Sequence, residues 1–126
     1  MEPDFFIITN NPEICEELGK SFSVEFIEGS GKDVLVLARD YIYEGHTLLS
    51  HPLAGSVKPN ETPYKSVVIT KKKDKLDFES VEIISSSIQT FEKFSLNSHE
   101  YKKEVLEDFQ KIDCSLIRCG LKAMVV

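Results

Sequence analysis

Amide, hydroxyl and lysine side chains follow three short apolar runs of the sequence, where they could bind an anion. Asn10 and Asn11 come directly after FFIIT, Ser30 and Lys32 come shortly after SVEFI, and His51 opens a longer polar segment after TLLS. Such groups, together with the positive ends of helices that begin beside them, suit a phosphate or a carboxylate. The predicted ligand-binding residues are Asn10, Asn11, Ser30, Lys32, His51, Ser56, Lys58, Asn60, Thr62, Tyr64 and Lys65.

The polar segment HPLAGSVKPNETP, residues 51–63, supplies nearly half of that set. A loop of this length without secondary structure is uncommon in a compact domain unless it has a function, which favours a binding role. The alternative is structural. Its prolines could only stiffen a connection, and Asn11 and Ser30 could only cap the helices that follow them.

His51 could also move a proton, because a histidine titrates near neutral pH. As a general acid or base it would need Lys58 or Lys65 to stabilise negative charge during the reaction. A metal site is not predicted, since His46 and His51 differ by five positions and an extended chain points them to opposite faces. The sequence therefore leaves a binding role and a catalytic role for His51 open.

Other motifs give weaker indications of chemistry. The stretch GSGK, residues 29–32, resembles a phosphate-binding P-loop, but Phe26 stands where the first glycine is needed and Asp33 stands where a serine or threonine would hold Mg²⁺. The three cysteines include no pair at metal or redox spacing, which fits reduced thiols. No cofactor is predicted.

The elements that must position these residues alternate between strand and helix. Strands are predicted at residues 5–9, 23–27, 47–50 and 66–70, and helices are predicted after Asn11, Ser30, Asp77 and Ser98. The order β-α-β-α-β-loop-β-α-α predicts a small three-layer Rossmann-like α/β domain, with a mainly parallel four-stranded sheet and helices on both faces. The first strand should be central, and ligands should bind beyond the carboxyl ends of the strands.

Apolar spacing predicts which face of each later helix is buried. The helix after Asp77 should bury Val81, Ile84, Ile88 and Phe91, and the helix after Ser98 should bury a stripe of residues at spacings of three to four. That stripe comprises Tyr101, Val105, Phe109, Ile112 and Leu116. The apolar tail, residues 121–126, could dock on the core or pair with another chain, so a homo-oligomer is left open.

Composition limits the partners of the protein. The 126 residues predict one domain, residues 1–126. A formal net charge of −6 argues against a nucleic-acid or anionic-membrane partner, since both need a basic face. No apolar run approaches the roughly 20 residues that span a bilayer, and the acidic start does not fit a secretory signal. We therefore expect a soluble, cytoplasmic protein.

Several stretches of the sequence resemble one known family. They are TNNP, VEFIEGS, EGHTLLSHPLAGSVKPNETPYKSVVI, LDFESVEIISSSI and VLEDFQKIDCSLI, which extend in order from Ile7 to about Ile117. Together they resemble the GrdX family, the small X proteins encoded beside the clostridial glycine, sarcosine and betaine reductase genes. The resemblance implies a cytoplasmic protein of an anaerobe that carries out Stickland fermentation, and it brings no catalytic residues to carry over.

Two functional hypotheses follow from the residues and the resemblance together. The first is a non-catalytic accessory or regulatory protein of the glycine reductase system, which binds a small anionic metabolite at residues 51–65 or docks on a reductase component. The second is a small transferase or hydrolase that acts on a phosphorylated or carboxylated metabolite, with His51 as its general acid or base.

Overall fold

Three strands and four helices form the described part of the chain. The computed structural model describes residues 4–52, 62–93 and 101–125, with side chains as far as Lys122. The strands are β1 (Phe5–Thr9), β2 (Ser23–Phe26) and β3 (Ser66–Thr70). The helices are α1 (Pro12–Leu18), α2 (Gly31–Tyr43), α3 (Phe78–Lys93) and α4 (Lys103–Val125).

The central strand of the sheet is β1, as predicted. The strand order is β2-β1-β3, and β1 pairs in parallel with β2 but antiparallel with β3. Thr9 lies opposite Phe26 of β2 and opposite Ser66 of β3. The carboxyl ends of β1 and β2 therefore meet the start of β3 at one edge of the sheet.

The predicted four-stranded, mainly parallel Rossmann-like sheet is wrong. Residues 47–50 contribute an isolated antiparallel bridge between Leu48 and Ile69 in place of a strand. Side-chain oxygens occupy the backbone donors that would extend this ladder, since the Thr47 amide donates to Thr70 Oγ1 at 2.8 Å and the Val68 amide donates to Ser50 Oγ at 2.9 Å. Because residues 47–50 and β3 run antiparallel, their connection returns to the same end of the sheet. That is hairpin geometry, and β3 needs no crossover helix before it.

Helices cover both faces of the sheet, as predicted for a three-layer domain. Alternate residues of β1 point to opposite faces. On one face Ile8 packs in a core with α2 and α3, and on the other face Ile7 packs in a core with α1 and α4. The predicted inner face of α3 is confirmed: Ile84, Ile88 and Phe91 are buried in the first core, and Val81 packs against it.

The predicted starts of α1 and α2 are confirmed by their capping bonds, whereas Ser98, the predicted cap of the last helix, lies outside the described residues. Asn11 Oδ1 accepts a hydrogen bond from the Glu13 amide at 3.0 Å, with Pro12 as the first helical residue. Ser30 and Asp33 form a reciprocal capping box at the start of α2. After α2 the chain turns at Gly45, whose φ of 113° is a conformation that glycine adopts readily.

The predicted buried face of α4 is wrong. Val105, Ile112 and Leu116 are 38%, 44% and 39% exposed, whereas Ile117 and Leu121 are 6% and 4% exposed and belong to the second core. The buried face therefore lies beside the predicted stripe on the helix surface. The apolar tail continues α4 as far as Val125. No helix in the described ranges is long and apolar enough to cross a membrane.

Candidate ligand-binding cavity

A cavity of about 340 Å³ opens where β3 begins, between residues 49–52 and α4. Its volume lies at the lower end of the range that small-molecule sites occupy. Both sides combine apolar residues with polar or charged ones. The lining residues are Leu49, Ser50, His51, Pro52, Lys65, Ser66, Val68, Asp113, Leu116, Ile117 and Gly120.

A chain of buried hydrogen bonds ends on Asp113 in this cavity. The backbone amide of Asn11 donates to Thr9 Oγ1 at 2.9 Å. Thr9 Oγ1 lies 2.6 Å from Ser66 Oγ, and Ser66 Oγ donates to Asp113 Oδ2 at 2.6 Å. Since the single hydroxyl hydrogen of Ser66 points to Asp113, Thr9 must donate to Ser66. Asn11 Nδ2 adds a second donor to Asp113 Oδ2 at 3.0 Å. The polar groups therefore fix one carboxylate oxygen in place.

The second oxygen of Asp113 is left for the cavity. Asp113 is 8% exposed, and its Oδ1 accepts no hydrogen bond from the residues that the structure describes. Burial raises the pKa of Asp113 above the ordinary carboxyl value, although Ser66, Asn11 and the charge of Lys65 oppose that shift. Asp113 is thus a buried acceptor in the cavity wall with unused bonding capacity.

Lys65 brings the opposite charge to the same cavity. Burial lowers the pKa of Lys65, while the carboxylate of Asp113 acts to raise it. The two side chains do not form a direct ion pair; Lys65 Nζ instead lies 5.7 Å from the ring centroid of Phe91. Residues of opposite charge therefore line the cavity, and the Lys65 ammonium lies against Phe91, which belongs to the core on the other face of the sheet.

Asn10 holds the backbone of Lys65 in position. Its Oδ1 accepts a hydrogen bond from the Lys65 amide at 2.8 Å, and its Nδ2 donates to the carbonyls of Gly29 at 2.9 Å and Pro63 at 2.8 Å. One buried amide thus joins the segments after β1, after β2 and before β3. Asn10 has a positioning role here, whereas the sequence predicted direct ligand binding.

The structure brings two of the predicted site residues, His51 and Lys65, to the cavity itself. Asn11 reaches the cavity wall through its bond to Asp113. Tyr64 lies near α4, where its hydroxyl accepts a hydrogen bond from Gln110 Nε2 at 2.8 Å, and Thr62 Oγ1 accepts one from the Tyr64 amide at 3.2 Å.

Two predicted residues are engaged outside the cavity. Ser30 is an exposed helix cap, and Lys32 lies 3.1 Å from a carboxylate oxygen of Glu92 on α3. Ser56, Lys58 and Asn60 lie outside the described residues, so their part in the site stays a prediction.

Sequence reasoning missed Ser66 and Asp113. Ser66 lies in a strand, as predicted, and the search for site residues followed the polar loops. Asp113 lies outside the stripe of α4 that the sequence predicts to be buried. The signal for Asp113 is its position. It lies four residues before Ile117, on the side of α4 that carries Cys114 and Leu121. An acid on an apolar stripe indicates either a buried partner or a site.

The Asp113→Asn substitution should remove the contribution of this carboxyl group to the pH dependence of stability. The folded wild type holds this proton more tightly than the unfolded chain, because burial raises the pKa of Asp113. Its free energy of unfolding therefore falls as pH rises from the ordinary carboxyl pKa, about 3.9, to the raised value. Asparagine keeps an acceptor for Ser66 and Asn11 but cannot lose a proton.

The expected result is a difference in unfolding free energy that moves in favour of Asp113→Asn as pH rises, by at most about 1.4 kcal/mol per pH unit. Urea denaturation at several pH values measures it. Asp108→Asn, at an exposed position on α4, is the matched control and should show no such trend. A difference that is constant across pH would contradict the assigned burial effect.

Metal binding has no evident cluster to support it. In the described parts of the chain, no three His, Cys, Asp or Glu side chains come together as a group that could hold a metal ion. The groups around the cavity are hydrogen-bonding and charged side chains on an apolar background. Such an arrangement can orient a small organic ligand by a few polar contacts.

Comparison with known proteins assigns a family. The family model described as GrdX-like protein matches residues 6–122. Neither the curated proteins nor the solved structures include one that matches the chain. The matched range includes β1 from its second residue, β2, β3, α1 to α3, most of α4 and the residues that line the cavity. The resemblance seen in the sequence is confirmed, and the chain belongs to the GrdX-like family.

Proposed function

We propose that this protein is a non-catalytic accessory or regulatory protein of a glycine-reductase-related system, and that it binds a small metabolite carrying a carboxylate or phosphate. The observation that carries the proposal is the cavity at the start of β3, where Lys65, Ser66 and Asp113 converge with His51 on an apolar wall. Membership of the GrdX-like family supports the association with amino-acid reduction.

The charges of the cavity support binding of an anionic group. Lys65 is half-buried, and burial already lowers its pKa, so its ammonium lacks part of the hydration that it would have in water. A carboxylate or phosphate beside it would restore that stabilisation through a charge-assisted hydrogen bond. His51 at the exposed side of the cavity can add a second donor.

The rigidity of the polar wall supports binding as well. The side chain of Asn10 fixes the Lys65 backbone, and Asn11 and Ser66 fix Asp113 before any ligand arrives. Groups held in this way lose little freedom on binding, and affinity benefits accordingly.

Calorimetry and thermal shift with acetate, glycine, inorganic phosphate, acetyl phosphate and a nucleoside monophosphate test the binding. We expect at least one carboxylate or phosphate to raise the melting temperature. The Lys65→Gln substitution should weaken that ligand about 10–100-fold, which corresponds to one charge-assisted hydrogen bond. Lys72→Gln, at an exposed position, is the matched control and should leave affinity unchanged.

Association with the reductase system is tested separately, by pull-down of purified glycine, sarcosine and betaine reductase components with the tagged protein. We expect one specific component to be retained. If binding of the metabolite regulates docking, addition of the metabolite should release that component. If no member of the ligand panel binds and no component is retained, the proposed function is wrong.

A second candidate function is a small transferase or hydrolase. The observation that favours it is the position of His51, which lines the same cavity as Lys65 and is exposed enough to exchange protons with solvent. Incubation with phosphorylated and carboxylated metabolites, followed by NMR, would detect turnover. His51→Ala should then abolish product formation with little change in melting temperature. If His51→Ala forms product as fast as the wild type, His51 is not the general base of such a reaction.

A further inference from the structure

We propose that the ligand is amphoteric: a small α-amino acid with an apolar side chain, whose ammonium group binds Asp113 Oδ1 and whose carboxylate binds Lys65. This inference rests on the proposed function, since it names the ligand class for the same cavity. It deepens that function because it gives Asp113 a part in selecting the ligand. The charge of Asp113 repels a simple anion, whereas it attracts the ammonium group of an amphoteric ligand.

The first argument is the unused oxygen of Asp113. Asp113 is 8% exposed as a residue, two donors converge on Oδ2, and no described residue donates to Oδ1. Oδ1 keeps enough accessible surface for a molecule in the cavity to reach it, and its lone pairs can accept hydrogen bonds from that molecule. An ammonium group of a ligand supplies up to three N–H donors and a compensating charge.

The second argument is the separation of Lys65 from Asp113. The two residues attract each other, yet they do not pair directly, and the ammonium of Lys65 lies over Phe91. Both residues line the cavity. A simple anion would compensate Lys65 alone, and a simple amine would compensate Asp113 alone. A zwitterion compensates both charges in one binding event, once the Lys65 side chain turns from Phe91 towards the ligand.

The third argument is the apolar part of the cavity wall. Val68, Leu116 and Ile117 line the cavity beside Asp113, and Leu49 and Pro52 complete this wall. The volume of about 340 Å³ exceeds what the smallest amino acid would fill. An aliphatic substituent would bury apolar surface against these residues, so affinity should rise from glycine to an amino acid with a branched side chain.

Matched ligands test each contact by calorimetry on the full chain. L-valine keeps both charged ends, 3-methylbutanoate lacks the ammonium, and 2-methylpropylamine lacks the carboxylate. We expect valine to bind about 10-fold or more tightly than either truncated ligand, since each truncation removes one charge-assisted contact. Glycine should bind more weakly than valine because it leaves the apolar wall uncovered.

Two variants assign the ends of the ligand. Asp113→Asn places a neutral amide group at the position of Oδ1. The ratio of the affinity for valine to the affinity for 3-methylbutanoate should therefore fall towards one. Lys65→Met should remove the preference for valine over 2-methylpropylamine. Asp108→Asn and Lys72→Met are the matched controls at exposed positions and should keep both preferences. Circular dichroism and the melting temperature check that every variant is folded.

The outcomes separate this inference from the proposed function. If 3-methylbutanoate binds as tightly as valine, or if Asp113→Asn keeps the full preference, the amphoteric ligand is wrong while carboxylate binding stands. Binding of phosphate compounds alone also overturns it and leaves the proposed function in place. If no carboxylate, phosphate or amino acid binds, both proposals fail.

Discussion

Replacing Ile117 with alanine should lower the free energy of unfolding by about 2–5 kcal/mol. Ile117 is 6% exposed and packs in the core formed by α1, α4 and one face of the sheet. Its truncation removes buried methyl and methylene groups and leaves a cavity that α4 can only partly close. Urea denaturation followed by circular dichroism measures the loss, with the slope of the transition as a check on two-state unfolding.

Ile112→Ala is the matched control on the same helix. Ile112 is 44% exposed, so its truncation removes few buried contacts, and the higher helix propensity of alanine offsets part of the loss. We expect a change of less than about 1 kcal/mol. Similar losses for Ile112→Ala and Ile117→Ala would contradict the orientation of α4 and would support the stripe that the sequence favoured.

The orientation of α4 shows where sequence reasoning reached its limit. Two apolar stripes run side by side along this helix, one with Ile112 and Leu116 and one with Ile117 and Leu121. The second stripe includes Asp113, which argued against burial. Burial is favourable only because Asn11 and Ser66, 102 and 47 residues away, donate hydrogen bonds to Asp113. Local spacing contains no information about partners so distant.

The sheet shows the same division between local and distant information. The strands 5–9 and 66–70, the caps at Asn11 and Ser30 and the helices on both faces follow from apolar runs and capping residues that act within a few positions. The direction of β3 depends on how the chain returns from residue 50, and composition does not determine it. Alternation of strands and helices favoured a parallel sheet, but residues 47–50 run antiparallel to β3, and an antiparallel neighbour requires no crossover helix.

Part of the cavity lining follows from the sequence for a related reason. The expectation that polar loops meet at one end of the sheet is consistent with the position of the cavity, because Thr9, Phe26 and Ser66 share one register level. His51 and Lys65 were identified from their place beside strands. Asp113 was not, since it enters from a helix whose buried face was misjudged. Asn10 was predicted as a ligand contact, but its side chain makes three hydrogen bonds to backbone groups and holds those segments in position.

Asn11→Asp should destabilise the protein by about 3–5 kcal/mol, although aspartate is as good a helix cap as asparagine. The new carboxylate can still accept from the Glu13 amide. It cannot donate to Asp113 Oδ2 or to the Gln110 carbonyl, which Asn11 Nδ2 now contacts at 3.0 Å each. Two buried carboxylates would then face each other without a donor between them.

Ser30→Asp separates capping from this buried contact. Ser30 caps α2 at an exposed position, where its hydroxyl accepts from the Asp33 amide at 3.2 Å, so aspartate there should change stability by less than about 1 kcal/mol. The loss in Asn11→Asp should shrink as pH falls, because one proton shared by the two carboxyl groups restores a donor. Urea denaturation of both variants at several pH values measures this. The contact between α1 and α4 would contribute no more than an ordinary cap if Asn11→Asp lost as little unfolding free energy as Ser30→Asp. The same conclusion would follow if its loss did not change with pH.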